Sequence, residues 1–347
     1  MEEQLCGKVL IIGPDMNDKG GIATIVKQMS QIMHPFNFIC SRWNTSKISK
    51  TWQMGRAVIK ELRWILFRNV QILHIHTASY TSFYVSSVFL IVGKLCRKKV
   101  LLHIHGGKFI EFYQTNKRFV KYICNKADCV IGVSSYFINQ FRLLGLNTRL
   151  ELLYNSVEIP DIISHVGFRR PKTITFMGAI VANKGIFDVI ACLIKYKSYF
   201  EGKIHFYIAG LGEHDRLQDL IKDNELDGFV HYIGWIDEDK KRTLLSRTDI
   251  YIQPSCFESL GISIIEAMSY GVPAIASNVG GIPDIIEDGV DGILFQPNDF
   301  EQFVGALKRL IEDEELNRIL GTKAREKSLK FSINNFRDKL VDIYTSC

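Results

Sequence analysis

Two glutamates eight positions apart, Glu258 and Glu266, are the residues best placed to do chemistry in this chain. Glu258 sits in a short loop, Phe257-Glu258-Ser259-Leu260-Gly261, and Glu266 falls one to two turns into the helix-like run Ile262–Tyr270. A glycine loop that opens a helix leaves backbone N–H groups unpaired and presents the positive end of the helix dipole. Anions bind there, phosphates above all. A carboxylate beside such a site has a different task, accepting hydrogen bonds from hydroxyl groups. The parts together suit a nucleotide-sugar. Its diphosphate would lie on Ser259-Leu260-Gly261 and the helix end, its hexose at Glu258 and its ribose at Glu266.

Other polar groups gather where strands are expected to end. The first strand runs into a long turn, Pro14 to Gly21, in which Gly20-Gly21 opens a helix. Two glycines let the backbone pass close to a phosphate or a sugar without a Cβ in the way. No Rossmann G-x-G-x-x-G accompanies them. Two His-x-His pairs, His74/His76 and His103/His105, end neighbouring strands, and strand alternation puts both members of a pair on one face. Four imidazoles could bind zinc in principle, but no carboxylate or cysteine completes an evident set. The run Asp237-Glu238-Asp239 spells Asp-x-Asp, yet it opens a helix, and N-capping accounts for it. No metal site and no cofactor are expected.

Short β-branched runs alternating with helical segments place these groups on an α/β framework with parallel sheets. Strands are expected at Lys8–Gly13, Asn37–Cys40, Ile72–His76, Val100–His105, Cys129–Val133 and Leu150–Leu153. After an aperiodic stretch over 155–172 they resume at Thr173–Met177, Ile204–Ala209, Val230–Ile233 and Ile250–Gln253. Helices are expected at Gly21–Met33, Trp52–Phe67, Ser79–Lys94, Asn116–Asn125, Tyr136–Leu144, Ile186–Tyr199, Asp215–Asp223, Glu238–Leu245 and Ile333–Tyr344. The length of 347 residues suits two domains, 1–165 and 166–330, with a terminal segment over 331–347. Two doubly wound domains of this kind would face a central cleft between the carboxyl ends of their strands.

The acidic N-terminus enters a strand directly, unlike a secretory signal, and the eight scattered cysteines lack metal-finger spacing. Both point to the cytoplasm. The uncharged stretch Thr77–Gly93 is too short to span a bilayer and reads as a buried helix. Charge is uneven: residues 1–165 hold 21 Lys+Arg against 10 Asp+Glu, and residues 42–126 hold 16 basic residues against only Glu61 and Glu111. Such an excess seeks an anionic partner. No nucleic-acid-binding motif is present, so nucleic acid is not the expected one. On the Trp52–Phe67 helix, positions 52, 56, 59, 60 and 63 share a side that mixes Trp52 and Ile59 with cations, and Lys47, Lys50 and Arg68 flank it. That surface suits the anionic inner face of a membrane.

Residues 254–292, PSCFESLGISIIEAMSYGVPAIASNVGGIPDIIEDGVDG, resemble the E-x7-E signature of the retaining glycosyltransferases of family GT4, glycosyl transferases group 1, which have the GT-B fold. The resemblance covers nearly the whole chain and is densest from 173 to 300. It implies that Phe176 to Gly185, with Gly178, is the donor-phosphate loop, with Lys184 neutralising the diphosphate leaving group. It implies a nucleotide-side turn at Gly210-Leu211-Gly212, a base contact near Trp235-Ile236, and a donor or acceptor contact at Gly20-Gly21. His105 would touch the transferred hexose and help stabilise charge at the reacting carbon. Where the family usually carries an arginine after the first glycine of its phosphate loop, this chain has Ala179. The resemblance further implies that the terminal helix returns to the first domain. It implies transfer of a hexose from a UDP- or GDP-sugar to a lipid-linked or growing glycan, with retention and without an obligatory metal. A sugar-nucleotide epimerase, a phosphorylase of the same fold and a non-catalytic sugar-binding partner are the alternatives. A phosphorylase would need a pyridoxal phosphate lysine or a phosphate pocket, for which no motif is evident.

Overall fold

The computed structural model describes residues 3–18, 20–42, 47–161 and 171–347. Lys19, the 165/166 boundary, half of the expected linker and the side chains of Lys47 and Lys50 lie outside the described residues.

The chain forms two compact units, Met1–Ser156 with Ile333–Cys347, and Val157–Ser332. Each is built on a six-stranded parallel sheet with flanking helices, the α/β architecture of the GT-B fold. In the first unit the strands are β1 Val9–Pro14, β2 Phe38–Arg42, β3 Ile72–Thr77, β4 Lys99–Ile104, β5 Cys129–Gly132 and β6 Arg149–Leu152. Their order is β2-β1-β3-β4-β5-β6. In the second they are β7 Lys172–Met177, β8 Ile204–Ala209, β9 Val230–Gly234, β10 Ile250–Gln253, β11 Ala274–Ser277 and β12 Gly292–Phe295, in the order β12-β11-β10-β7-β8-β9. The central strands are covered on both faces, which is why they read as continuous Val/Ile runs. Val9 to Ile12, for example, are fully buried.

Each order reverses once. The chain leaves β1 for β2 on one side and returns on the other side as β3; likewise it leaves β7 for β8 and β9 and returns as β10. At such a reversal the two loops leaving the carboxyl ends of adjacent strands diverge, and the crevice between them is where open α/β sheets bind ligands. The first unit therefore presents the loops after β1 and β3, and the second those after β7 and β10.

The terminal helix Ile333–Thr345 lies in the first unit's core. Phe336, Leu340, Ile343 and Tyr344 pack among Val9, Ile11, Met29, Ile72 and Leu101. The helix Phe109–Thr115 has no counterpart among the sequence expectations. Its aromatic residues Phe109, Phe112 and Tyr113 are buried. The expected helix Ile186–Tyr199 is broken at Tyr196 into Ile186–Lys195 and Lys197–Phe200.

The helix Thr81–Leu95, which holds most of the uncharged stretch, departs further from expectation, because it is buried on one side only. Ser86, Ser87 and Gly93 turn inward with Phe83, Phe89 and Leu90, while Tyr84, Val88, Ile91 and Leu95 are exposed, Leu95 by 78%. Close approach to the sheet is the reason: a Cβ at Gly93 would lie 2.1 Å from Leu73 Cδ1. Gly93 takes that contact, and the stripe Tyr84, Val88, Ile91 and Leu95 faces out. Among the described residues no helix is long and apolar enough to cross a membrane.

Candidate functional site

In the second unit the reversal between β7 and β10 brings Lys184 to Glu258. The loop after β7 ends in a short 3-10 turn, Ala182–Lys184, closed by Gly185 at φ +70°, and the backbone N–H of Cys256 donates to Asn183 O at 2.9 Å. A Cβ at Gly185 would lie 2.0 Å from Pro254 O, so only glycine lets the two loops touch. Lys184 Nζ then donates to Glu258 Oε1 at 2.5 Å. Gln253 Nε2 and Ser255 Oγ donate to the same oxygen, each at 3.0 Å. All three bonds fall on Oε1. The orientation of Gln253 is fixed in turn by Tyr251, whose hydroxyl donates to Gln253 Oε1 at 3.0 Å. Tyr251, Gln253 and Ser255 are buried, and the Glu258 and Lys184 side chains keep 15% and 23% exposure. The carboxylate is thus held from behind by buried donors and remains reachable. The main chain of Glu258 is fixed as well, since its carbonyl accepts from Gly281 N at 3.0 Å, and a Cβ at Gly280 would lie 2.0 Å from that carbonyl oxygen.

Glu266 lies on the helix Ile262–Ser269, which starts at Gly261 in a left-handed conformation, φ +100°, with no side-chain cap. Its carboxylate receives Lys241 Nζ at 2.6 Å, and Lys241 also reaches Glu238 at 2.9 Å. Burial pushes the Glu266 pKa up; Lys241 opposes this and Glu238 adds to it. Lys241 was not a sequence candidate. The run Glu238-Asp239-Lys240-Lys241-Arg242 reads as a solvated helix face, with nothing in it to single out Lys241. Asp237 caps that helix, accepting from Lys240 N at 2.9 Å, so the Asp-x-Asp spelling serves the helix end.

The glycines of the neighbouring turn answer to packing. A Cβ at Gly210 would lie 1.7 Å from Gly178 O, and one at Gly212 would lie 2.2 Å from Ile180 O. Gly178 N donates to Ala209 O at 3.0 Å. The β8 turn therefore braces the phosphate-loop candidate from below. Ala179, between them, is exposed.

In the first unit the loop after β1 carries Gly20-Gly21, and β3 carries His74 and His76 beside His103 and His105 of β4 and its carboxyl end. Gly20 and Gly21 are exposed, and nothing lies within 4 Å of a Cβ built at Gly20. The register pairs His76 with His103, and His105 N donates to Thr77 O at 2.9 Å. The four imidazoles stack in one buried cluster. His76 Nδ1 bonds His105 Nε2 at 2.9 Å, His74 Nε2 bonds His103 Nδ1 at 3.2 Å, and His74 Nδ1 bonds the Tyr344 hydroxyl at 2.6 Å. Burial lowers all four pKa values, that of His76 to about 3, and neighbouring imidazoles lower those of His74, His103 and His105 further. These rings are neutral at physiological pH, and His105 offers a hydrogen bond rather than a charge. The ligand atoms of His74, His76 and His103 lie within 4.8 Å of one another, close enough to consider a metal. His74, however, already spends both ring nitrogens on Tyr344 and His103, and could ligate only by giving one up.

The description of the glycosyl transferases group 1 family matches residues 160–327, and that of glycosyltransferase family 4 matches residues 34–159. An uncharacterised 41.2 kDa protein from the cps region of Klebsiella pneumoniae is 25% identical, with 94% of this chain and 97% of that protein covered. The UDP-Gal:alpha-D-GlcNAc-diphosphoundecaprenol alpha-1,3-galactosyltransferase of Escherichia coli is 32% identical over 40% of this chain and 36% of its own. Among solved structures, Anabaena HepE in complex with UDP superposes with a TM-score of 0.78 at 18% identity, covering 98% of this chain and 100% of that one. The adjoining family matches and the two parallel sheets agree: this chain belongs to glycosyltransferase family GT4, glycosyl transferases group 1, and is a glycosyltransferase of the GT-B fold.

Proposed function

We propose that the protein is a retaining hexosyltransferase that takes a hexose from a UDP- or GDP-sugar and adds it to a lipid-linked or growing glycan in bacterial surface polysaccharide synthesis. The observation that carries this is the Lys184–Glu258 pair at the β7/β10 reversal, backed by Gln253 and Ser255. The acceptor class draws support from the cps-region relative and from the galactosyltransferase whose name specifies a diphosphoundecaprenol-linked acceptor. A nucleoside diphosphate site is in keeping with the UDP complex of HepE.

In this reading the second domain, 166–330, binds the donor and the first, 1–165 with the terminal helix, serves the acceptor. The diphosphate lies on the N-terminal end of the Ile262–Ser269 helix beside Ser259, Leu260 and Gly261. Glu258 accepts from hexose hydroxyls and Glu266 from the ribose. As the nucleoside diphosphate departs, negative charge builds on its oxygens, and Lys184 stabilises it. A leaving phosphate oxygen takes the acceptor's proton on the face from which the bond broke, so the new bond keeps the old configuration. No protein carboxylate is assigned as base. No metal is assigned either; Asp237 and Glu238, in the Asp-x-Asp run, are engaged in the helix cap and the Lys241 pair.

The protein works at the cytoplasmic face of an anionic membrane in the same reading. Support comes from the first unit's exposed Trp52, Ile59, Leu66 and Phe67 on the helix Lys47–Phe67, and from the outward stripe of the helix Thr81–Leu95. Arg56 and Arg68 lie over the rings of Trp52 and Trp64 on that surface.

The test is turnover of a panel of UDP- and GDP-hexoses, with and without a lipid-linked acceptor, reading the anomer formed. Each charge-assisted hydrogen bond that a hydroxyl donates to a carboxylate is worth about 1.5–3 kcal/mol. Glu258→Ala is expected to lower turnover at least about tenfold, and Glu266→Ala chiefly to raise the donor KM. Near-normal kinetics in both variants would overturn the assignment. Product formed from the donor alone would point to an epimerase.

A further inference from the structure

Lys241 reaches Glu266 across 25 residues of sequence from the helix Glu238–Leu245, which follows the loop Trp235–Asp237. Both side chains are about four-fifths covered, at 19% and 20% exposure, so the pair is neither a loose surface contact nor sealed from a ligand. The next cation along the helix is committed elsewhere, since Arg242 bonds Glu158 at 2.7 Å. Other groups around Glu266 supply no replacement. Glu238 repels it, Tyr251 from β10 and Tyr270 at the helix end are neutral with raised pKa values, and Arg325 of the helix Glu314–Ser328 donates to the carbonyls of Ser269 and Pro160.

We infer that Lys241 is a positioning residue for nucleotide recognition, fixing Glu266 as a charged, oriented acceptor for the ribose hydroxyls of the donor. The inference rests on the donor-site reading above, in which Glu266 meets the ribose. A carboxylate this covered, left without its cation, keeps a proton, and a neutral acid loses the charge-assisted bond. Lys241 also ties the loop carrying Trp235, the candidate for the base edge, to the carboxylate that would read the sugar of the same nucleotide. Base and ribose recognition then share one cross-link.

The experiment compares binding of UDP with 2′-deoxy-UDP, and of GDP with 2′-deoxy-GDP, by calorimetry across about pH 6.5 to 9. Phosphate ionisation is common to each pair and cancels in the ratio. The wild type is expected to prefer the ribonucleotide roughly tenfold or more, and Glu266→Ala to lose that preference. In Lys241→Met the preference falls below about twofold at the acidic end and returns as pH rises, because a raised carboxylate pKa is overcome only by higher pH. Lys241→Arg restores it, and Glu238→Gln, which removes the repelling charge, holds it to lower pH than the wild type. A Lys241→Met protein with the wild-type ratio at the acidic end overturns the inference, as does equal, pH-independent weakening of both nucleotides. If Glu266→Ala keeps the ribose preference, the donor-site reading fails, and the inference falls with it.

Discussion

Glu61 is expected to make the first unit less stable as pH rises, and Glu61→Gln to abolish that dependence. The residue lies inside the helix Lys47–Phe67 with no exposure, and neither carboxylate oxygen has a hydrogen-bond partner among the described residues. Burial pushes its pKa from 4.5 up to about 8. In the unfolded chain the carboxyl ionises near its ordinary value, while in the fold it keeps its proton until about pH 8. Below the unfolded value both states are protonated and nothing is lost. Between the two values the unfolded state is favoured by about 1.4 kcal/mol per pH unit, and above the folded value the loss is complete. At about pH 7.5 this amounts to roughly 4 kcal/mol, of which water entry and local opening relieve a part. Glutamine has the shape of the protonated acid and does not titrate. Urea unfolding of wild type and Glu61→Gln, with hydrogen exchange over the helix, is expected to show equal stability near pH 4.5 and a gap of about 2–4 kcal/mol near pH 7.5. A gap that is the same at both pH values would refute the reasoning. The proton on Glu61 also has a surface consequence: the helix's one acidic residue is neutral near pH 7, so the charge of its exposed basic side is not offset from within.

Two further outcomes bear on the site and the surface. Lys184→Ala is expected nearly to abolish transfer, because it removes the cation meant for the leaving diphosphate and strips Glu258 of its 2.5 Å partner; Ala179→Arg, at an exposed position, is expected to be tolerated or activating, and an unchanged rate and donor affinity in Lys184→Ala would refute this. Sedimentation with anionic but not neutral liposomes, reversed by salt, is expected at about 1 kcal/mol per basic residue near the surface; replacing Val88, Ile91 and Leu95 by serine should weaken it without altering its salt dependence, and equal recovery in the supernatant with both liposome types at low salt would count against the membrane reading.

Three elements, Ile204–Ala209, Glu238–Leu245 and Ile250–Gln253, have the boundaries read from the sequence, each for a local reason. The strands are predominantly apolar, β-branched and aromatic runs that stop at Gly210 and at Pro254, and the helix starts at a capping aspartate. The helix Thr81–Leu95 shows where local reading fails. An uncharged run says that a helix is apolar, but not which side turns inward; that side carries Gly93, where a Cβ would collide with Leu73. The same division holds for the site. Glu258, Glu266 and Lys184 were legible as chemical types in suggestive loops, and the His-x-His pairs as residues sharing a face. Their partners were not legible, because partnership depends on strand order. Lys184 meets Glu258 only because β10 returns beside β7 after β8 and β9 have gone the other way, and His76 meets His103 through the register of β3 on β4. Lys241 was hidden most completely. Its helix has the composition of a solvated face, and nothing local distinguishes it from Lys240 beside it. A lysine on such a helix acquires a role only from the element packed against it, here the helix of Glu266. A site that pairs each of its two key carboxylates with a lysine from another strand–helix unit therefore shows its acids and one cation in the sequence, and the second cation and both pairings only in the fold.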